Sequence, residues 1–205
     1  LDSAVEGIVD AIWFNQGQVC CAGSRLLLHE SISAKVEKKI LSRMKKLRFG
    51  NPLDKSIDMG PLISLEQLNR VKRLVESGLE GGADIYQCDM PPLLKGYFYP
   101  PTLLKNVSPS MEIFQQEIFG PVLSSTTFRT PEEAVALANN SRYGLSASIW
   151  SENINLALDI SPKLKVGVVW INSTNVFDAA VGFGGYRESG YCLLYTSDAA
   201  DEFMG

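Results

Sequence analysis

The residues best suited to chemistry are gathered in Phe14-Asn15-Gln16-Gly17-Gln18-Val19-Cys20-Cys21-Ala22-Gly23-Ser24-Arg25. A cysteine stands there in a turn between a helical pattern and an apolar run, where a side chain reaches a cleft while its neighbours stay on rigid supports. A thiol attacks a carbonyl carbon only as the thiolate, so it requires positive potential or amide donors close by. Turn residues around Gly17 and Gly23 can aim backbone N–H groups at such a sulfur, and at an oxyanion made from a bound carbonyl. Spacing alone leaves open that Cys20 is a small buried core residue, the commoner fate of a free cysteine. A second group is Glu117-Ile118-Phe119-Gly120-Pro121. A carboxylate there can accept two hydroxyl hydrogen bonds at once. Taken singly, Glu117 reads more simply as a surface acid and Phe119 as a core aromatic. A third is Phe183-Gly184-Gly185-Tyr186-Arg187-Glu188-Ser189-Gly190. Its glycines do not make a G-x-G-x-x-G phosphate loop, because Arg187 stands where the last glycine should fall.

These groups need elements to position them. Ser3 and Glu6 have capping-box spacing, and Val5, Ile8, Val9 and Ile12 follow at helical intervals until Gly17 ends the pattern. Arg25 to His29, with three successive leucines, reads as a buried strand. From about Ser33 an amphipathic helix puts Val36, Ile40, Met44 and Leu47 on one face, and a lysine-rich solvated face on the other. Gly50-Asn51-Pro52 closes it. Ser64 opens another helix, with Leu68, Val71, Leu74 and Val75 on one side, which ends near Gly81-Gly82. Strands are expected at Ala83 to Gln87, Thr102 to Leu104, Pro121 to Phe128, Gly144 to Trp150 and Lys165 to Asn172. A proline- and glycine-rich loop runs from Pro91 to Pro101. Thr130-Pro131-Glu132-Glu133 starts a helix with a cap, a proline at the first position and an acid at the third, and a further helix spans about Asn153 to Ile160. Alternating strands and helices predict an α/β fold with a largely parallel sheet flanked by helices.

Composition narrows the function. The 205 residues allow one domain with a full core, or two small ones. Apolar residues are 45% and charged residues 20%, as in an ordinary globular protein. A net charge of −4 gives no reason to expect a nucleic-acid surface. No apolar run approaches the ~20 residues of a membrane helix, and no secretion signal is visible. With one histidine, His29, and no C-x-x-C pair among Cys20, Cys21, Cys88 and Cys192, a metal site has little to be built from. Free thiols point to a reducing compartment, and a cytoplasmic location is expected.

The pattern F-x-x-G-Q-x-C continued by C-A-G-S-R resembles the active-site signature of the aldehyde dehydrogenase superfamily. The resemblance implies that Cys20 is the nucleophile and Cys21 is not, with Phe14 and Val19 lining the aldehyde pocket. A bland alternative for Phe14 is that it completes the apolar face of the first helix. Glu117-Ile118-Phe119-Gly120-Pro121 matches E-I-F-G-P, whose glutamate binds the nicotinamide ribose and whose phenylalanine bounds the nicotinamide. Gln67 matches a ribose-contacting glutamine, but Ser64 with Gln67 is also a capping box, and both readings stand. Phe183 matches a substrate-facing phenylalanine in F-G-G-x-K-x-S-G, and Asn172 matches an asparagine that mostly fixes a loop. The implied protein is an aldehyde-dehydrogenase-type catalytic domain over residues 1–190, similar to the family 16 branch. It would use NAD or NADP to oxidise a small-molecule aldehyde through a thiohemiacetal and a thioester, as a homo-oligomer when full length.

Two departures qualify this. The chain opens inside a helix without Met, and the family's cofactor-binding half, with its glutamate base and oxyanion asparagine, has no counterpart here. The chain is therefore expected to be a fragment that is incompetent alone. Glu30 and Glu37 are no substitute, since patterning puts both on exposed surfaces. From Cys192 to Gly205 the resemblance stops, so residues 191–205 are expected to be a non-family, foreign tail. The rival reading is a non-catalytic scaffold or interaction domain that keeps the fold. A third is weak esterase activity of the thiol, which needs no NAD.

Overall fold

The computed structural model describes residues 1–90 and 95–190, and the chain divides into two compact units, one over Leu1–Leu137 and one from Ala138 onward. Residues 91–94 of the proline-rich loop, and the expected foreign tail 191–205 with Cys192, lie outside the described residues.

The first unit is built on β1 (Arg25–His29), β2 (Asp84–Gln87), β3 (Thr102–Lys105) and β4 (Val122–Phe128), in the order β1-β4-β3-β2. Strands β1 and β3 run parallel to β4, and β2 is antiparallel to β3 at the edge. Helices α1 (Asp2–Trp13) and α2 (Ser33–Met44) belong to one hydrophobic cluster, and α3 (Leu65–Glu80) and α4 (Glu112–Gln115) to a second. Because side chains alternate along a strand, successive residues feed different clusters. Leu28, Leu103 and Leu123 join Val5, Ile12, Trp13, Ile40 and Met44. Leu104 and Val122, their neighbours in sequence, join Val71, Leu74, Ile113 and Phe114 instead. Full burial of each such side chain stabilises by about 1.5–3 kcal/mol.

Helix α2 buries Val36, Ile40 and Met44 as its periodicity requires, and Ser64 caps α3 by accepting from the Gln67 N–H at 3.1 Å. Helix α5 (Pro131–Asn139) begins with a reciprocal box. Thr130 accepts from the Glu133 N–H (3.2 Å), and the Glu133 carboxylate accepts from the Arg129 N–H (2.7 Å).

Three expectations fail here. Ser3 and Glu6 form no capping box, because α1 already begins at Asp2 and has no side-chain cap. Glu6 is drawn away by Arg43 of α2, which donates two hydrogen bonds to it at 2.6 and 2.7 Å. The helix also ends at Trp13 rather than Gly17, since Asn15, Gln16 and Gly17 all have positive φ (46°, 57° and 70°). Glu37 is not on an exposed surface. Its side chain is 17% exposed, accepts from the Ser125 hydroxyl at 3.2 Å and faces Lys105 at 3.9 Å.

The second unit holds β5 (Ser146–Ile149) and β6 (Val168–Ile171), paired in parallel, with α6 (Ile154–Ile160) between them in sequence. Asn172 uses both ends of its amide on the Ser151 backbone (2.9 and 3.0 Å), so it fixes the turn that leaves β5. The Phe183–Gly190 segment is held down along its length. Ser189 accepts from the Gly144 N–H at 3.0 Å, Arg187 donates to the carbonyls of Asn139 and Ser141, and Arg142 pairs with Glu188. Its backbone is closely approached by Gly167, where an added Cβ would lie 1.7 Å from the Gly184 carbonyl oxygen, so glycine is required at 167.

Candidate active site

Helix α1 delivers the cysteine segment through a sharp reversal. Phe14 leaves the helix with extended backbone, and three left-handed residues follow. Asn15 tolerates this conformation and donates from Nδ2 to the Gln18 carbonyl at 3.1 Å. The Gln18 side chain accepts from the Ile63 N–H at 3.1 Å, which ties the reversal to the start of α3. Val19 to Ala22 then forms a turn closed by the Ala22 N–H to the Val19 carbonyl (3.0 Å), with Cys20 and Cys21 at its two central positions.

The two cysteines have opposite fates. Cys20 is exposed, and Cys21 is 7% exposed. Burial, reinforced by Cys20 beside it, pushes the Cys21 thiol up from its ordinary value, so Cys21 stays protonated. The Gly23 N–H is not available to the sulfur, because it donates to the Ala11 carbonyl at 3.0 Å. Phe14 does not complete the apolar face of α1. It is 62% exposed, and Trp13 fills the core in its place.

The Glu117–Pro121 segment packs directly on this reversal. A Cβ on Gly17 would lie 2.2 Å from the Gly120 carbonyl oxygen, so the two backbones touch where only glycine fits. The buried Trp13 indole, 108 positions away in sequence, donates to the Pro121 carbonyl at 3.2 Å. On its other side Gly120 faces α3, where an added Cβ would lie 2.6 Å from Val71 Cγ2. Glu117 is exposed and Phe119, at φ 55°, is half-buried.

Gln67 plays half of the expected capping box. Its backbone is capped by Ser64, but its side-chain Nε2 donates to the carbonyls of Ile118 (2.9 Å) and Phe119 (2.8 Å). Arg70, which the sequence reading missed, donates to the Glu117 carbonyl at 2.7 Å. Its signal was available, since the i, i+3 spacing puts Gln67 and Arg70 on one helix edge. Cys20, Val19, Phe14, Gln67, Glu117 and Phe119 thus all lie on segments joined within the first unit. Phe183 belongs to the second unit, where its ring meets Phe177 edge-on at 5.2 Å, and Phe177 meets Trp170 at 5.5 Å.

A separate cavity of about 230 Å³ is lined by Met44, Lys45, Phe49, Tyr86 and Cys88 among others, and neither segment contributes to it. Among the described residues no three His, Cys, Asp or Glu side chains are grouped as a metal site would require. No helix of the described residues is long and apolar enough to cross a membrane.

Known proteins repeat this arrangement. Betaine aldehyde dehydrogenase from Staphylococcus aureus, solved in complex with NAD+, superposes with a TM-score of 0.93 at 38% identity, over 98% of this chain and 41% of that one. Another structure of that enzyme, a point mutant, carries a mercaptoethanol-modified cysteine. The mitochondrial aldehyde dehydrogenase family 2 member B4 of Arabidopsis thaliana is 43% identical over 191 residues, 93% of this chain and 35% of that protein. Betaine aldehyde dehydrogenase of Bacillus subtilis is 38% identical over 195 residues, 93% of this chain and 40% of that protein. The chain therefore spans about two-fifths of the length of the curated relatives it matches. The sequence model of the Aldehyde dehydrogenase family matches residues 1–205, and the chain belongs to that family.

Proposed function

We propose that the whole protein oxidises an aldehyde to a carboxylic acid with NAD+ or NADP+, and that Cys20 is its nucleophile. The observation that carries this reading is the split between the two adjacent thiols. Cys20 is exposed on a turn anchored to the Glu117–Pro121 backbone, and Cys21 is buried and held protonated. In this reading the Cys20 thiolate adds to the carbonyl carbon, forming a C–S bond and an alkoxide, the thiohemiacetal. Loss of hydride from that carbon leaves a thioester on Cys20. Water then cleaves the thioester, releasing the acid and returning the thiol.

Glu117 and Phe119 fit a nicotinamide riboside. The carboxylate is exposed and can accept two ribose hydroxyls, the neighbouring ring is partly open, and their backbone is fixed along its length. A bound nicotinamide dinucleotide supplies the hydride acceptor, which no side chain can be. Phe14 and Val19 are assigned to the aldehyde's apolar part, and Phe183 keeps the substrate-facing role that the resemblance implies for it. Phe14 supports this by standing 62% exposed beside the cysteine turn, where the core does not require it. The chain by itself is proposed to be inactive, because Cys20, Phe14 and Glu117 all stand in solvent and a thioester chemistry needs a site that excludes water until the last step. Three unpaired cysteines among the described residues support a reducing, cytoplasmic setting.

The test is formation of reduced cofactor from an aldehyde by the whole protein. Cys20→Ala abolishes it and Cys21→Ala does not. Equal activity of the two variants would overturn the assignment.

A further inference from the structure

We infer that the cavity between the end of α2 and strand β2 is a binding site for a small zwitterion with an apolar body, of the apolar amino acid class. It stands apart from the proposed chemistry, since neither the cysteine turn nor residues 117–121 lines it.

Helix α2 ends at Met44, and the chain tightens at once as the Leu47 N–H donates to the Met44 carbonyl at 3.1 Å. On the opposite wall β2 is the edge strand beside β3, and the Cys88 N–H continues that ladder by donating to the Pro101 carbonyl at 3.2 Å. Alternation along an extended chain puts Tyr86 and Cys88 on one face. Both, with Leu47 and Phe49, pack against the cluster that contains the fully buried Met44. These side chains make an apolar floor beneath a space of about 230 Å³. An apolar cavity of about 150 Å³ holds benzene, so a benzyl-sized body fits here with its head group at the rim.

The rim carries one cation and one anion, Lys45 and Asp89. Lys45 Nζ stands 5.9 Å from the centroid of the Tyr86 ring, in cation–π range, so the ammonium is turned toward the cavity wall. Both charges reach the Cys88 thiol, whose pKa is raised by burial and then by Asp89, and lowered by Lys45. Yet neither makes an ion pair, with the other or with any further described residue. Two opposite charges that face one cavity unpaired suit a ligand that carries both, a carboxylate for Lys45 and an ammonium for Asp89. A simple carboxylate meets repulsion from Asp89, and a simple amine meets it from Lys45. Apolar walls with a few placed polar groups are the usual make-up of a small-molecule site.

The test follows alkylation of Cys88 in the whole protein by iodoacetamide, a neutral reagent, with peptide mapping. L-phenylalanine is the probe, 3-phenylpropanoate lacks its ammonium, and 2-phenylethylamine lacks its carboxylate. The expected result is a saturable slowing of Cys88 labelling by millimolar L-phenylalanine, with each analogue weaker by about fivefold. Lys45→Met removes the advantage of L-phenylalanine over the amine, and Asp89→Asn removes its advantage over the carboxylate. Both variants lie outside the proposed active site, so aldehyde oxidation at the parent's rate shows that they are folded. Should either misfold, the three probes on the parent decide alone. No protection by L-phenylalanine, or equal protection of the parent by either analogue, overturns the assignment.

Discussion

Gly17→Ala is the sharpest test of how the cysteine segment and the Glu117–Pro121 segment are joined. The new Cβ would lie 2.2 Å from the Gly120 carbonyl oxygen, 2.6 Å from its carbon and 3.0 Å from the Ile12 carbonyl oxygen. Gly120 is itself closely packed on α3, since a Cβ added to it would lie 2.6 Å from Cγ2 of the fully buried Val71. Holding a non-glycine residue at φ +70° costs about 1–2 kcal/mol, and forcing an extra methyl into a packed contact costs about 1–3 kcal/mol more. The total of about 2–5 kcal/mol compares with the roughly 5–15 kcal/mol that holds an ordinary domain folded. Urea unfolding of the 205-residue chain, followed by circular dichroism, should show the midpoint falling by about 1 M or more. A midpoint within about 0.2 M of the parent would refute the backbone contact between the two segments.

The remaining predictions concern the thiols and acid stability. In the folded chain near neutral pH, iodoacetamide labels Cys20 and leaves Cys21 unmodified, because burial both hides that thiol and raises its pKa. Labelling of both at equal rates by peptide mapping would contradict the assigned environments. The two hydrogen bonds from Arg43 hold the Glu6 carboxyl below its ordinary value of 4.5. A depressed carboxyl contributes its stability above the unfolded-state pKa and loses it as the pH falls through the folded value. The parent should therefore lose more stability than Glu6→Gln between about pH 5 and pH 3. The difference is small for a pair this exposed, and parallel acid limbs in chemical denaturation would show that the α1–α2 pair contributes nothing.

Much of the fold was legible because strong periodicity announces itself. Val36, Ile40 and Met44 define α2, and the leucine run from Arg25 to His29 matches β1 residue for residue. Helix α4 was not legible, since four residues make one turn and show no period. The Ser3–Glu6 spacing misled, because a capping box depends on where the backbone turns, and Arg43 competes for the same carboxylate. Glu37 misled in the same way. Its neighbours on α2 are lysines, but it faces Ser125 and Lys105 on adjacent strands, a pairing set only by tertiary packing. In the candidate site the chemistry-bearing residues could be named from local pattern, and their mutual support could not. The contacts of Trp13 with Pro121, Gly17 with Gly120, and Gln67 with Ile118 and Phe119 all join distant segments, and no local rule connects them.

The proposed reaction turns on which sulfur forms a bond to the substrate. The most direct measurement is tandem mass spectrometry of the whole protein, quenched in acid during turnover of an aldehyde with NAD+, to locate the acyl group by fragmentation between the two adjacent cysteines. An acyl adduct on Cys20 alone is the predicted result. An adduct on Cys21, or turnover continuing with no acyl group on either cysteine, would contradict it.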